Sequence, residues 1–251
     1  MKEFYIGYLA KMPAGYGLYI RLAVIAILAA ATVFAAMFAL GQKPFANGVF
    51  EFGNVKEFTG TIQAKPIPFL IVESGERNNG LPGLERIALV SEGKFGADDQ
   101  VNGLDGKRVK LKGTLIYRDR IRMIEVAADS IIVEGGEPAN GPGPETALGE
   151  MSLKGEIIDS KCYLGVMNPG NHKTHRSCAV ACLRGGVPAM FLVKDKAGNK
   201  SELWLLSEKG EPMNERILEY VAEPVELKGK VYRNGDSLFF HADISNIRRL
   251  P

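Results

Sequence analysis

Apolar positions along the chain fall into three regimes. From Leu22 to Leu40 they are continuous, LAVIAILAAATVFAAMFAL, with Thr32 the one polar side chain. From about residue 48 onward they come as short runs, many alternating with polar positions and punctuated by Gly, Pro, Asn and Asp. That pattern predicts strands joined by turns. A third stretch, Ser160 to Pro188, fits neither regime.

The continuous run predicts a membrane anchor over residues 22–41. Nineteen residues at about 1.5 Å each reach roughly 28 Å, close to the ~30 Å hydrocarbon core of a bilayer. A cleaved signal peptide has a shorter apolar stretch, about 7–15 residues, close behind a basic start; here some twenty residues come first. An uncleaved anchor is therefore expected rather than a signal peptide or a buried core helix. Lys2, Lys11 and Arg21 precede the run against Glu3, and Lys43 alone follows closely. By the positive-inside tendency, residues 1–21 form a cytoplasmic segment and the remainder is exported. The expectation is a single-pass protein of the plasma (inner) membrane, periplasmic in a Gram-negative cell. No twin-arginine pair precedes the run, so export of an unfolded chain is expected.

Beyond the anchor the sequence repeats. Val109-Lys-Leu-Lys-Gly-Thr-Leu-Ile-Tyr-Arg118 matches Val225-Glu-Leu-Lys-Gly-Lys-Val-Tyr-Arg233, and each is followed by another alternating strand. Phe58-Thr-Gly-Thr-Ile62 likewise matches Leu153-Lys-Gly-Glu-Ile157. A duplicated unit explains these matches. It predicts a first domain over 48–134, a Gly/Pro-rich linker over 135–149 and a second domain over 150–251. The second domain reads as strands at 152–160, 189–194 and 201–207, a helix at 212–221, and strands at 225–233 and 237–247. The helix rests on Met213, Ile217, Leu218 and Val221 sharing one face. Three strands, a helix and two strands resemble the OB-fold order, so the chain resembles tandem OB-fold domains behind a single anchor. The implied fold class is mainly β: one transmembrane helix, then two OB-like five-stranded barrels. A β-sandwich or SH3-like barrel is the competing reading. Trp204, Phe239 and Phe240 read as barrel core rather than as a ligand platform.

Aligning the repeats isolates an insertion. Gly60 to Val72 spans 12 residues, whereas the matching Gly155 to Val193 spans 38. The excess, residues 160–188, reads SKCYLGVMNPGNHKTHRSCAVACLRGGVP. It contains all three cysteines of the protein and two of its three histidines. Its second half predicts a two-turn helix, capped by Thr174 and ended by Gly185 and Gly186. His175, Cys178 and Cys182 would then share one stripe about 60° wide, with Cys162 approaching from the preceding strand. Three sulfurs and an imidazole suit tetrahedral zinc. His172 is a second candidate imidazole. Met167 or Met190 could add a thioether for copper, and His241 is an outlying candidate ligand. Equally open is a disulfide from Cys162 to Cys178 or Cys182, stapling the insertion and leaving no cofactor. A redox-active thiol pair is the third reading.

The Cys178-x-x-x-Cys182 pair resembles the copper-binding pair of membrane-anchored cytochrome oxidase assembly factors, although those have a thioredoxin-like fold. It also resembles the binuclear copper site of oxidase subunit two, which needs a His where Gly186 stands. An anchor followed by an exported OB barrel resembles the haem chaperone of cytochrome c maturation. The His–Tyr attachment spacing of that family is absent, as is any C-x-x-C-H, so haem is disfavoured.

Composition narrows the rest. The 251 residues are 46% hydrophobic and 24% charged with net charge +2, which excludes a disordered chain and a strongly basic nucleic-acid binder. Asp159, Asp195 and Glu202 show no paired acid–base spacing. The first domain, lacking Cys and His, reads as a spacer or docking module. The expected function is a non-catalytic, membrane-anchored, extracytoplasmic accessory protein of electron transport. It would present a Cys/His metal or redox centre to a membrane redox complex or metalloprotein. The alternatives are a disulfide-stapled two-domain adaptor and a thiol–disulfide exchange protein.

Overall fold

The computed structural model describes residues 13–42, 47–78, 81–136, 143, 145–195 and 197–251. The chain divides into two compact units, residues 1–45 and 46–251.

Among its described residues the first unit contains one helix, α1 (Ala14–Gly41). Among the described residues it is the one helix long and apolar enough to span a membrane. Its 28 residues give about 42 Å at 1.5 Å per residue, more than the bilayer core needs. It starts eight residues ahead of Leu22, because Ala14–Ile20 is largely apolar and has no breaker after Pro13. Thr32 hides its hydroxyl by donating to the Leu28 carbonyl at 2.8 Å, which satisfies that group without solvent.

The second unit holds two closed five-stranded barrels. The first uses β1 (Val49–Gln63), β2 (Phe69–Asn78), β3 (Leu81–Ser91), a short helix α2 (Asp98–Val101), β4 (Arg108–Arg118) and β5 (Ile121–Val126). The two-residue β6 (Ile132–Val133) adds to β4. The second uses β7 (Thr146–Asp159), an excursion carrying α3 (Arg176–Arg184), then β8 (Ala189–Lys194) and β9 (Lys200–Ser207). It continues through α4 (Asn214–Ile217), β10 (Pro224–Asn234) and β11 (Ser237–Ala242), with β12 (Arg248–Arg249) added to β10. Both barrels run 1-2-3-5-4 and close between strands 1 and 4, with strands 3 and 5 parallel. This is the OB order the sequence predicts.

The duplication reaches the register. Thr61 opposes Ile71 in the first barrel, and Glu156 opposes Leu192 at the equivalent step of the second. The repeated glycines have a steric cause. A Cβ on Gly60 would lie 2.4 Å from the Ile71 carbonyl oxygen, and one on Gly155 would lie 2.5 Å from that of Leu192. Only glycine admits so close a strand approach.

Two expectations need correction. The helix expected over 212–221 is one α-turn followed by a 3-10 turn, Leu218–Tyr220. The chain must leave it early, since Ala222 donates to the Ile157 carbonyl at 3.0 Å and rejoins the sheet. The linker expected over 135–149 lies partly outside the described residues, and from Thr146 it is already β7, paired along β10.

Each barrel has its own apolar core, and a third core lies between them. Phe69, Ile71, Ile116 and Met123 of the first barrel meet Met190, Trp204 and Phe239 of the second there, around Cys162, Tyr163 and Cys182. Phe69 packs edge-on to Trp204 with ring centroids 5.5 Å apart. Trp204 and Phe239 therefore seal the contact between barrels, while Phe240 lies inside the second.

Candidate metal centre

The site starts where β7 ends. Asp159 is fully buried, and its Oδ1 accepts the Cys162 backbone N–H at 2.8 Å. That bond turns the chain into a π-helical turn, Cys162–Val166, closed by Met167 N–H donating to the Cys162 carbonyl at 3.1 Å. The chain returns through Gly170, packed on the Cys162 and Tyr163 backbone. A 3-10 turn, Lys173–His175, then leads into α3. Thr174 does not cap this helix; the capping position is His175, with no side-chain cap bond. The expected stop does hold. Gly186 takes φ +90°, and Gly185 sits where a Cβ would fall 1.9 Å from the Lys94 carbonyl oxygen.

Cys178 and Cys182 lie one turn apart on α3, facing Cys162. The Cys162 Sγ is 3.8 Å from each, and all three sulfurs lie within 4.8 Å of one another. No sulfur–sulfur bond joins them; such a bond would be about 2.05 Å long. Around a metal with sulfur bonds of about 2.3 Å, tetrahedral geometry sets sulfurs roughly 3.8 Å apart. The triangle therefore has the size a thiolate-bound ion needs.

His175 does not complete the triangle. It is buried, and its Nε2 lies 2.9 Å from Asp159 Oδ2. Asp159, Cys162 and His175 thus form a second set sharing Cys162 with the first. His175 stands on the 3-10 turn just ahead of α3, and its ring lies within 4.8 Å of the Cys162 sulfur and the Asp159 carboxylate rather than of all three sulfurs. His172, at φ +67°, is turned to Glu156, with Nδ1 3.2 Å from that carboxylate. Met167 is exposed at the exit of the π-turn. His241, in β11, packs with a tilted ring against Tyr232 of β10, the ring centroids 4.5 Å apart. Met190 is buried in the same apolar cluster as Cys162 and Cys182.

Two participants escaped the sequence reading. Asp159 works not through a paired carboxylate but through His175 and the Cys162 amide, and the Asp-Ser-Lys-Cys turn was the available signal. Lys94, on the β3–α2 loop of the first barrel, donates from Nζ to Cys178 Sγ at 2.7 Å. Nothing local to Lys94 signals this. The first barrel is accordingly more than a spacer. Its loop is strapped to the second barrel by Lys161, whose buried ammonium donates to the Ser91 and Gly93 carbonyls at 2.8 and 2.6 Å and pairs with Glu125. Gly96 N–H donates to the Gly185 carbonyl at 2.8 Å. The Arg118 guanidinium lies 3.9 Å from the ring centroid of Tyr163, whose hydroxyl donates to Glu202.

The electrostatics are uneven across the sulfurs. Cys162 is held well above the usual thiol range by the hydrogen bond it shares with Cys182, by burial, and by Asp159 beside it. The shared bond lowers Cys182, helped by the Lys94 charge. The bond to Cys178 raises Lys94, keeping it an ammonium. The arrangement can hold a soft cation on sulfur. Among the described residues, no further His, Cys, Asp or Glu atom lies within 4.8 Å of all three sulfurs. No protein-family model matches the chain, and no curated protein matches it in sequence.

Proposed function

We propose that the protein is a membrane-tethered, non-catalytic metal-handling factor. It holds a soft ion, Cu(I) or Zn(II), on Cys162, Cys178 and Cys182. It presents that ion on the extracytoplasmic side to a membrane redox complex or metalloprotein. The observation that carries the reading is the triangle of unbonded sulfurs with 3.8 Å edges from Cys162. Thiolates favour soft ions. Among the described residues no further His, Cys, Asp or Glu atom reaches all three sulfurs, which favours three-coordinate Cu(I); Zn(II) would draw a fourth ligand. The His175–Asp159 pair fixes the Cys162 amide behind the sulfurs, as outer-shell partners do at metal sites. The apolar helix supports the tether, since confinement at the bilayer raises the effective concentration toward a membrane partner.

The test is reconstitution of the detergent-solubilised full chain, reduced and anaerobic, with Cu(I) and with Zn(II) in turn. One equivalent bound, lost together with protection of three thiols in Cys162→Ser and Cys182→Ser, is the expected result. No bound metal and a single titratable thiol in the isolated protein would instead support the disulfide-stapled adaptor. A pair cycling well above about −300 mV would support thiol–disulfide exchange.

A further inference from the structure

We infer that Cys178 is the ligand through which the bound ion is passed on, with Lys94 of the first barrel holding its thiolate whenever that sulfur is off the metal. The acceptor is a soft donor, thiolate or thioether, on the partner protein. The inference rests on the three-sulfur reading above and deepens it.

The three sulfurs are not equivalent. Cys162 and Cys182 are 3% and 1% exposed, whereas Cys178 is only half-buried. Cys162 is further pinned by the π-turn and by the bond from its amide to Asp159. Of the three ligands, Cys178 is therefore the one open to an incoming donor. Ligand exchange there forms one metal–sulfur bond to the acceptor and breaks the bond to Cys178 Sγ. No electron changes hands, and the ion keeps its oxidation state. The displaced sulfur leaves as a thiolate, which is costly beside an apolar core unless a cation stands by. Lys94 Nζ is that cation, 2.7 Å from Cys178 Sγ. Its loop is kept in place by the Lys161 strap and by the Gly96–Gly185 bond. A charge supplied by the first barrel thus serves a metal held by the second.

The full chain in detergent, loaded anaerobically with Cu(I), is challenged with bathocuproine disulfonate, and the rate of transfer is followed by absorbance. Lys94→Gln is expected to slow transfer about tenfold or more, the scale of a lost charge-assisted hydrogen bond. Its stoichiometry and thermal midpoint should match wild type, and Lys94→Arg should recover most of the rate. A Lys94→Gln variant that transfers at the wild-type rate, or that no longer holds the ion, overturns this inference alone. A wild-type chain that takes up no Cu(I) overturns the three-sulfur reading with it.

Discussion

Asp159 gathers more of the site than any other side chain: one carboxylate oxygen fixes the Cys162 amide and the other the His175 ring, at 2.8 and 2.9 Å. Replacing it by Ala strands a buried imidazole and a buried N–H. Asp159→Ala should therefore lower stability by about 2–4 kcal/mol, read by urea denaturation of the metal-free protein, with Asp159→Asn losing less. His241 makes a separate prediction. Burial pulls its pKa below the ordinary 6.5, against a small opposing effect of Glu145. The folded state therefore keeps the ring neutral while the unfolded chain takes up a proton near pH 6.5. The stabilisation is fully present above that pH and lost as pH falls below it. In a comparison of thermal midpoints at pH 7.5 and 5, His241→Phe should show a smaller acid-induced drop than wild type; an equal drop would refute the assignment.

Among the elements, the excursion from 160 to 188 is built to bring one strand end and one short helix face together. The π-turn shortens the path of Cys162, and the paired glycines let the end of α3 touch the β3–α2 loop. Gly185→Ala tests that contact, because its Cβ would meet the Lys94 backbone oxygen at 1.9 Å, with no flexible side-chain end to yield. The expected outcome is a stability loss of about 1–3 kcal/mol and slower alkylation of Cys178 by iodoacetamide, because a sulfur that loses the Lys94 ammonium reverts toward the less reactive thiol. An unchanged alkylation rate would show that the loop does not position Lys94. The strands of the second barrel, and the opening and last two strands of the first, were legible beforehand, since alternation with period 2 shows which positions face a core. The short helix α4 was overdrawn because i, i+4 spacing cannot register that Ala222 must return to pair with Ile157.

For the whole molecule, the consequence of the shared core is cooperativity. With Phe69 against Trp204, Arg118 over Tyr163 and Lys161 buried between the barrels, neither barrel can open without exposing apolar surface of the other. Calorimetry of the solubilised chain should show one transition for both barrels rather than two. Lys161→Ala leaves Glu125 and two carbonyls without their ammonium, so it should cost about 3–5 kcal/mol and weaken that coupling.

The sequence by itself determined the apolar helix, the duplicated barrels with their strand order, and the cysteine-bearing insertion. Each is written in local periodicity, in repeated glycines or in a length mismatch between copies. Only the tertiary structure decided which side chains share the centre. It turned His175 toward Asp159, set His172, Met167 and His241 apart, and brought in Lys94 from 84 residues away. Periodicity gives the face a residue presents, but the docking of two barrels decides what stands opposite that face.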